Sequence, residues 1–404
     1  MKKLYKVVDL FCGAGGLSLG FHLSGQFRIA GAIDNWRPAC DTFVHNHPET
    51  PDYSIICSDI QQDQKSGKFD EYCKIWSSNG DIDVVVGGPP CQGMSLAGKR
   101  LADDPRNRLF ETFVAAVQRL QPKVIVMENV PGLLSIGGGQ LNAAIIQRFA
   151  DVGYNHISEH PPLILKAETY GVPQIRRRLF YVAFREDYYH ADFAWPPPAT
   201  HREWRPAVVG LETNTLTLFD EPLDNLRPTV TVADAISDLP VIPAGGGEEE
   251  MEYPRVNLTT LTEFQRYSRD QSLCFDAQRE AFVYNHVAPN NSPSLIEMIE
   301  RAKPGESVDP NYSDSKKWAP DRPGYTVKAL GAGGGSTNRR AFHYNPKTPR
   351  GSTVRENARI QSFPDWYKFL GPKTHQMTQV GNAVPPLLAY RIALQIQRAL
   401  NNDG

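Results

Sequence analysis

Apolar and polar positions alternate in two regimes along this chain. Up to about residue 185, short apolar runs end in glycine, proline or acidic residues and are separated by stretches of helical period, the pattern of a doubly wound α/β sheet. Val7–Leu10 predicts a buried strand running into the glycine-rich turn Cys12-Gly13-Ala14-Gly15-Gly16, with a helix from about Leu17. Ile29–Ile33 predicts a second strand with Asp34 at its end, and Val84-Val85-Val86 a third that breaks at Gly87-Gly88-Pro89-Pro90. Asn107 is placed to cap a helix whose Leu109, Phe113, Ala116, Val117 and Leu120 recur on one face. Val124–Met127 is a strand stopped by Glu128-Asn129-Val130-Pro131-Gly132, and Leu179–Phe184 closes the series.

The second regime starts at Pro196-Pro197-Pro198. Polar, aromatic and Pro/Gly segments then mix without clear period to about residue 320, and Gly245-Gly246-Gly247 followed by Glu248-Glu249-Glu250 reads as an exposed loop. Gly331–Gly335 reads as a further flexible stretch. Helical period returns near Pro386, where Leu388, Ala389, Ile392, Ala393 and Ile396 form an apolar stripe. That last helix is expected to pack back on the first domain, with a second, smaller domain inserted before it.

Composition adds less. With 404 residues, 41% of them hydrophobic, the chain has material for two domains. Lys and Arg number 43 against 45 Asp and Glu, so the net charge of −2 gives no sign of a polyanionic ligand; one would need a local basic face, such as Arg176-Arg177-Arg178 or Arg339-Arg340. The 6 cysteines are widely spaced, with neither a CxxC pair nor zinc-ligand spacing, so no metal site is expected and a reducing compartment fits best. No apolar run approaches the ~18 residues of a membrane span, and Asp9 interrupts the one after Lys2-Lys3 too early for a signal peptide. A soluble, cytoplasmic protein is expected.

Three places carry candidate chemistry. The glycine turn, with Asp34 about twenty residues on, has the physics of an adenosine site: glycines admit a close ligand, and a carboxylate at the second strand end grips ribose hydroxyls. Ser18 stands at the third glycine position, so a tight turn of any α/β protein explains the segment equally well. Gly88-Pro89-Pro90-Cys91-Gln92 sets a cysteine in a proline-stiffened turn just past a strand end, where open α/β sheets bind ligands. Prolines and glycines pack poorly around a core cysteine, so Cys91 reads as a nucleophile activated by nearby guanidinium groups, whereas Cys40, Cys57 and Cys73 read as small buried hydrophobes. Glu128 leaves the sheet at the edge shared with Cys91. It is either a plain surface carboxylate or a desolvated acid with a raised pKa. Arg176 and Arg178 lie on one face of the segment before the last strand and Arg177 on the other, as solvated charge or as part of a site.

Taken in order, these segments resemble the cytosine-5 DNA methyltransferases. Asp9-Leu10-Phe11-Cys12-Gly13-Ala14-Gly15-Gly16-Leu17 is similar to the family's cofactor motif, and Gly87-Gly88-Pro89-Pro90-Cys91-Gln92-Gly93-Met94-Ser95 to its catalytic motif. Glu128-Asn129-Val130 resembles the proton-donor motif and Gln174 through Arg178 the arginine motif. Arg355 through Pro364, then Gln379-Val380-Gly381-Asn382-Ala383-Val384-Pro385-Pro386, resemble the last two. The resemblance spans roughly the first 185 and last 85 residues and leaves out the middle, which in the family is the variable target-recognition region.

The resemblance implies a Rossmann-like S-adenosylmethionine-dependent methyltransferase domain, 1–188 completed by 376–404, with a target-recognition domain and hinge at 189–375. Phe11 is expected to stack on the adenine of S-adenosyl-L-methionine and Asp59 to meet its amino group. Gly13, Gly15, Asp34, Asn35, Ile60, Gly88 and Pro90 complete the pocket, which Asn382 and Val384 close. Asp34 departs from the family's usual glutamate, one methylene longer. Cys91 is expected to attack carbon 6 of a flipped-out cytosine while Glu128 serves ring nitrogen 3, Arg178 holds the base carbonyl and Arg176 supports the active-site loop. The base that removes the carbon-5 proton stays unassigned. Implied partners are double-stranded DNA and, in a prokaryote, a companion restriction endonuclease that forms no stable complex; the enzyme itself is expected to be a monomer. Three rival readings exist: a tRNA methyltransferase on the same motifs, a nicotinamide-dependent oxidoreductase suggested by the glycine turn and Asp34 alone, and a catalytically silent DNA-binding module. The second leaves Cys91, Glu128 and the arginines without a role, and an intact Cys91 and Glu128 speak against the third.

Overall fold

The structure is a computed structural model that describes residues 4–90, 109–158, 160–188, 193–205, 225–274, 282–309, 311, 315–329 and 341–401. Among them, seven strands form one sheet: β1 (Tyr5–Leu10), β2 (Phe27–Asp34), β3 (Ile55–Cys57), β4 (Val84–Gly87), β5 (Val124–Asn129), β6 (Leu163–Lys166) and β7 (Arg177–Phe184). Their order is β3-β2-β1-β4-β5-β7-β6. The first five are parallel, and β7 is antiparallel to both β5 and β6.

The near-continuous apolar strands are explained by burial on both faces, as parallel sheets require. Val7, Val84, Val86, Val124, Val126, Phe180 and Val182 enter one core, and Val8, Val85, Ile125, Met127, Leu179 and Tyr181 the other. The first face is covered by α1 (Gly16–Leu23) and the C-terminal helix, with Phe43 of α2 (Arg37–Asn46). The second lies under α3 (Ile60–Ser66), α4 (Phe69–Ser77), α5 (Leu109–Leu120) and α6 (Gln140–Asp151). Strand order reverses between β1 and β4, the switch point beyond whose C-terminal ends doubly wound sheets bind ligands. Asn107, expected to cap α5, lies outside the described residues.

The middle region has regular structure that its sequence conceals. It contains α7 (Val232–Ile236), β8 (Gly247–Glu252), α8 (Glu263–Arg269), β9 (Phe282–Val287) and α9 (Pro293–Arg301). Helices α7 and α8 are too short to display a period, and their signal is at the caps, where Thr231 with Asp234 and Thr262 with Gln265 form capping boxes; α9 gathers Leu295, Met298 and Ile299 on one face. The Gly-Glu run expected to be a loop is instead strand β8, paired antiparallel with β9. Its glutamates are exposed, as expected. Strand geometry comes from the backbone ladder, while β9 supplies the buried side chains Val283, Tyr284 and His286. The Gly331–Gly335 stretch is outside the described residues.

The chain then forms α10 (Val354–Ile360), α11 (Lys373–Asn382) and α12 (Pro386–Asn401). The apolar stripe of α12 packs into the first core as anticipated. A third core joins α7, α8 and α10 to Trp366, Tyr367 and Phe369, and reaches Ala14 and Leu19 of the N-terminal segment. Buried charges around α10 are paired. Arg350 bonds both oxygens of Glu356, and Arg359 bridges Asp238 and Asp365. No helix among the described residues is long and apolar enough to cross a membrane.

Candidate active site

The glycine turn follows β1 through Phe11, whose φ of 58° lies in the left-handed region that bulky residues rarely adopt. Gly13 (φ 53°) and Gly15 (φ 84°) share that region. A methyl group built on Gly13 meets nothing within 4 Å, so the turn is open in front. Behind, there is no room: a Cβ on Gly15 comes 2.6 Å from the Tyr367 hydroxyl, and one on Gly16 comes 2.4 Å from the Val384 carbonyl. The turn is thus an open cradle with a carboxylate at its rim, a shape with room for a ligand such as an adenosine.

Asp34 is that carboxylate. Its Oδ2 accepts from the Gly13 amide at 2.9 Å and its Oδ1 from the Trp36 amide at 2.8 Å, while burial pushes its pKa up against those two hydrogen bonds. Asn35 beside it is exposed. Deeper, burial pushes Asp9 up to about 7, where Ser18 Oγ donates to it at 2.6 Å. At the end of β3, Asp59 caps α3, accepting from the Gln61 amide at 2.9 Å, and Ile60 is buried under it. Asn382 ends α11 exposed, and Val384 is buried against α1. Phe11, Gly13, Asp34 and Asp59 thus share the C-terminal edge of β1–β3, and the last motif reaches the turn through Val384.

The second half of the site lies at the ends of β4 and β5. Glu128 Oε1 pairs with Arg178 Nε at 2.8 Å, across the antiparallel ladder between β5 and β7. Desolvation raises the Glu128 pKa and outweighs Arg178 and Arg176, which lower it. The other carboxylate oxygen stands 2.9 Å from where a Cβ on Gly88 would be, so only glycine lets β4 exit past this acid. Asn129 Nδ2 donates to the Pro89 carbonyl at 3.0 Å and ties the two strand ends together. In the sequence Asn129 shows only as a polar side chain ending an otherwise apolar strand, and its tie to Pro89 emerges with the fold. Pro90 is exposed, and Cys91 lies outside the described residues, so the expected nucleophile has no geometry here.

Arg176 is no surface charge. It is 1% exposed and donates to the carbonyls of Val327 (3.0 Å), Gly381 (2.9 Å) and Ala383 (3.1 Å). Burial lowers its pKa, with Arg178 acting in the same direction. Arg177, on the other face as alternation requires, forks onto the buried Glu168 at 2.6 and 2.7 Å. The expectation that this run offers a basic face for a polyanion is therefore corrected: all three guanidinium groups are engaged by the protein, Arg176 by backbone carbonyls, Arg177 by Glu168 and Arg178 by Glu128. Arg339-Arg340 falls outside the described residues. Gln174 was missed as a connector; its Nε2 donates to the Ile360 carbonyl at 3.1 Å and its Oε1 accepts from the Val327 amide at 3.1 Å. Of the cysteines read as buried, Cys40 is buried and Cys73 half-buried, but Cys57 is exposed because β3 ends at it.

Comparison with known proteins agrees with this geometry over almost the whole chain. The family model described as C-5 cytosine-specific DNA methylase matches residues 5–398. The type II methyltransferase M.DdeI of Desulfomicrobium norvegicum is 34% identical, over 98% of this chain and 89% of its own length. M.AgeI of Thalassovita gelatinovora, also a type II methyltransferase, is 32% identical over 98% and 100%. Among solved structures, a prophage-encoded E. coli protein described as a DNA modification methyltransferase superimposes with a TM-score of 0.70 at 26% identity, covering 98% of this chain and 99% of that one. Spodoptera frugiperda DNMT2, at 17% identity and a TM-score of 0.53, shares the fold. The chain belongs to the C-5 cytosine-specific DNA methylases and is a DNA methyltransferase of the restriction-modification type.

Proposed function

We propose that the chain methylates carbon 5 of a cytosine flipped out of a specific duplex DNA site, with S-adenosyl-L-methionine as donor and Cys91 as covalent nucleophile. The observation that carries this reading is the Glu128–Arg178 pair packed against Gly88, three residues before Cys91 in the chain. Phe11, Gly13, Gly15, Asp34, Asn35, Asp59, Ile60, Gly88, Pro90, Asn382 and Val384 would hold the donor, whose sulfonium supplies an electrophilic methyl group. The protein's own part is to make carbon 5 nucleophilic.

The base must leave the stack for its ring carbons to be reached, at a cost of a few kcal/mol. Cys91 thiolate adds to carbon 6, and the displaced electron pair runs toward carbon 5 and ring nitrogen 3. Glu128, whose pKa desolvation raises, is the group assigned to donate to nitrogen 3 so that charge does not build up on the ring. Arg178 Nε holds the Glu128 carboxylate, and its guanidinium is the group assigned to the base carbonyl. Arg176, bonded to carbonyls 327, 381 and 383, positions the segments around the site and does not touch the base. Carbon 5 would then use its electron pair to take the methyl group, leaving the donor a neutral thioether, and departure of the carbon-5 proton expels Cys91.

Residues 189–375 are assigned to target reading and the hinge, since catalytic motifs flank them and sequence is read by base-edge contacts. The protein is taken to act as a monomer beside a companion endonuclease. Duplex DNA with 5-fluorocytosine at the target tests the chemistry, because fluorine cannot leave as a cation and the adduct persists through denaturing electrophoresis. Cys91→Ser should give no adduct, since a hydroxyl lacks the thiolate's nucleophilicity. An adduct that persists in Cys91→Ser, or whose peptide mass maps to Cys12, overturns the assignment.

A further inference from the structure

The back of the glycine turn is held by a residue that no motif reading singled out. Tyr367 follows α10 and is fully buried, 353 residues along the chain from the alanine whose carbonyl its hydroxyl engages, Ala14. That carbonyl belongs to the residue between the two left-handed glycines. On the hydroxyl's other side is His47 Nε2 at 3.4 Å, and His47 Nδ1 meets Glu49 Oε1 at 3.2 Å. The His47 ring is stacked on Phe43 of α2 at 4.3 Å between centroids, so the imidazole is fixed from two directions. Burial pushes the Tyr367 hydroxyl well above its ordinary pKa and keeps it a donor.

In front of Ala14 the turn has two further restraints, both local. The Gly15 amide donates to the Cys12 carbonyl at 3.0 Å, and the Gly13 amide to Asp34 at 2.9 Å. The Gly15 amide shares its peptide plane with the Ala14 carbonyl, so its bond to Cys12 orients that carbonyl from one end and the Tyr367 hydroxyl holds the other; the left-handed Gly15 would let the peptide rotate once a bond is lost. If it rotates, the opening in front of Gly13 changes shape. Tyr367 is also fastened to the middle region: Arg355 donates to the Tyr367 carbonyl at 2.6 Å, to the Pro364 carbonyl at 2.9 Å and to the Tyr284 carbonyl on β9 at 2.8 Å.

We infer that Tyr367 is a positioning residue for cofactor binding: its hydroxyl locks the Ala14 peptide, and so the glycine turn, in the form that receives the adenosine of S-adenosylmethionine. The inference rests on the cofactor proposed above. Its cost when lost is carried by cofactor affinity and not by the chemical step.

Tyr367→Phe removes one oxygen and keeps the ring against Phe363, Trp366 and Phe369. Tyr267→Phe is the matched control: its hydroxyl donates to the Ser362 carbonyl at 2.8 Å in the same core, away from the turn. Calorimetry with S-adenosylmethionine on the full chain should give Tyr367→Phe a Kd about tenfold weaker, the fold-change for one buried hydrogen bond. Tyr267→Phe should bind as the wild type does. In steady state, KM for the cofactor should rise in Tyr367→Phe while kcat at saturating cofactor and KM for DNA stay put. An unchanged Kd in Tyr367→Phe, an equal loss in Tyr267→Phe, or a fall in kcat without a change in Kd overturns the inference. Failure of the wild-type protein itself to bind overturns the cofactor assignment instead, so the two failures are told apart.

Discussion

Gly20→Ala would ordinarily stabilise a helix by about 1 kcal/mol, because alanine loses less backbone entropy than glycine. Here the sign should reverse. Gly20 is the contact point of α1 with α12, and a Cβ on it stands 2.3 Å from Ala389 Cβ, 2.6 Å from the Pro386 carbonyl oxygen and 2.7 Å from the Tyr390 amide. Two of those neighbours are backbone, which cannot swing aside. Restoring an ordinary contact near ~3.5 Å means moving α12 outward by roughly 1 Å. That lifts Leu388, Ile392 and Ile396 from the sheet. Overpacking of this kind costs about 1–3 kcal/mol, and the upper end applies where backbone blocks relief. Subtracting the propensity gain leaves a net loss of about 1–2 kcal/mol, or roughly 1–3 °C in melting temperature for a chain of 404 residues. Circular dichroism melts measure it. Adding Ala389→Gly removes the 2.3 Å contact but neither backbone contact, so it should restore less than half of the loss. A Gly20→Ala protein as stable as the wild type would show that α1 and α12 part freely.

Other expectations follow from individual groups. Asp9 titrates near 7 against 3.8 for an ordinary aspartate, so its neutral form contributes stability in full below the unfolded value, and that contribution is lost as pH rises toward 7. The loss is on the order of 4 kcal/mol at pH 8; Asp9→Asn, which keeps an acceptor for Ser18, should be the more stable protein in urea at pH 8 and show little advantage at pH 4. Asp34→Glu restores the longer side chain usual in the family; with Asp34 held on the Gly13 and Trp36 amides, the added methylene should let the carboxylate reach ribose hydroxyls, and S-adenosylmethionine should bind severalfold tighter by calorimetry. Asn129→Ala frees the Pro89 carbonyl and lets the turn before Cys91 drift. In methylation kinetics kcat should fall by about 10- to 100-fold with cofactor Kd unchanged, and an unaltered kcat would remove Asn129 from the positioning of that turn.

How much of this was legible depended on whether a residue's reason for being there was local. The strands β4 and β5 could be read because each is buried on both faces and so is apolar without interruption. The alternation that puts Arg177 opposite its neighbours is likewise a property of the strand itself. Partners were not legible. Nothing near Arg176 in sequence announces the carbonyls of Val327, Gly381 and Ala383, which come from two distant segments. Strand β8 was misread for a related reason, because a two-stranded ribbon with one solvent face gives its polar strand no hydrophobic mark. Cys57 looked like a buried filler until β3 proved to end there.

The same distinction explains how one site is assembled from both ends of a chain with a long insert between them. The sheet alone brings Asp34, Asp59, Gly88 and Glu128 to one edge, and that much follows from strand order. It does not bring the last motif to the glycine turn. Packing does that, Val384 against Gly16 and α12 against Gly20, while three polar connections hold the motif from its other side: Arg176 to the carbonyls of Gly381 and Ala383, Gln361 Nε2 to the Ala383 carbonyl, and Gln174 to Gln361 at 2.5 Å. Each of these side chains is buried, so losing any partner would leave a desolvated donor, a cost of about 1–3 kcal/mol or more for the guanidinium. Arg176 and Gln174 also bond Val327, which belongs to the segment after the middle region. The residues that hold the last motif therefore share hydrogen bonds with Val327, which lies in the region proposed to read the target. A substitution at Gln174 should accordingly disturb cofactor and DNA binding together, whereas one at Glu128 should spare both and stop the chemistry.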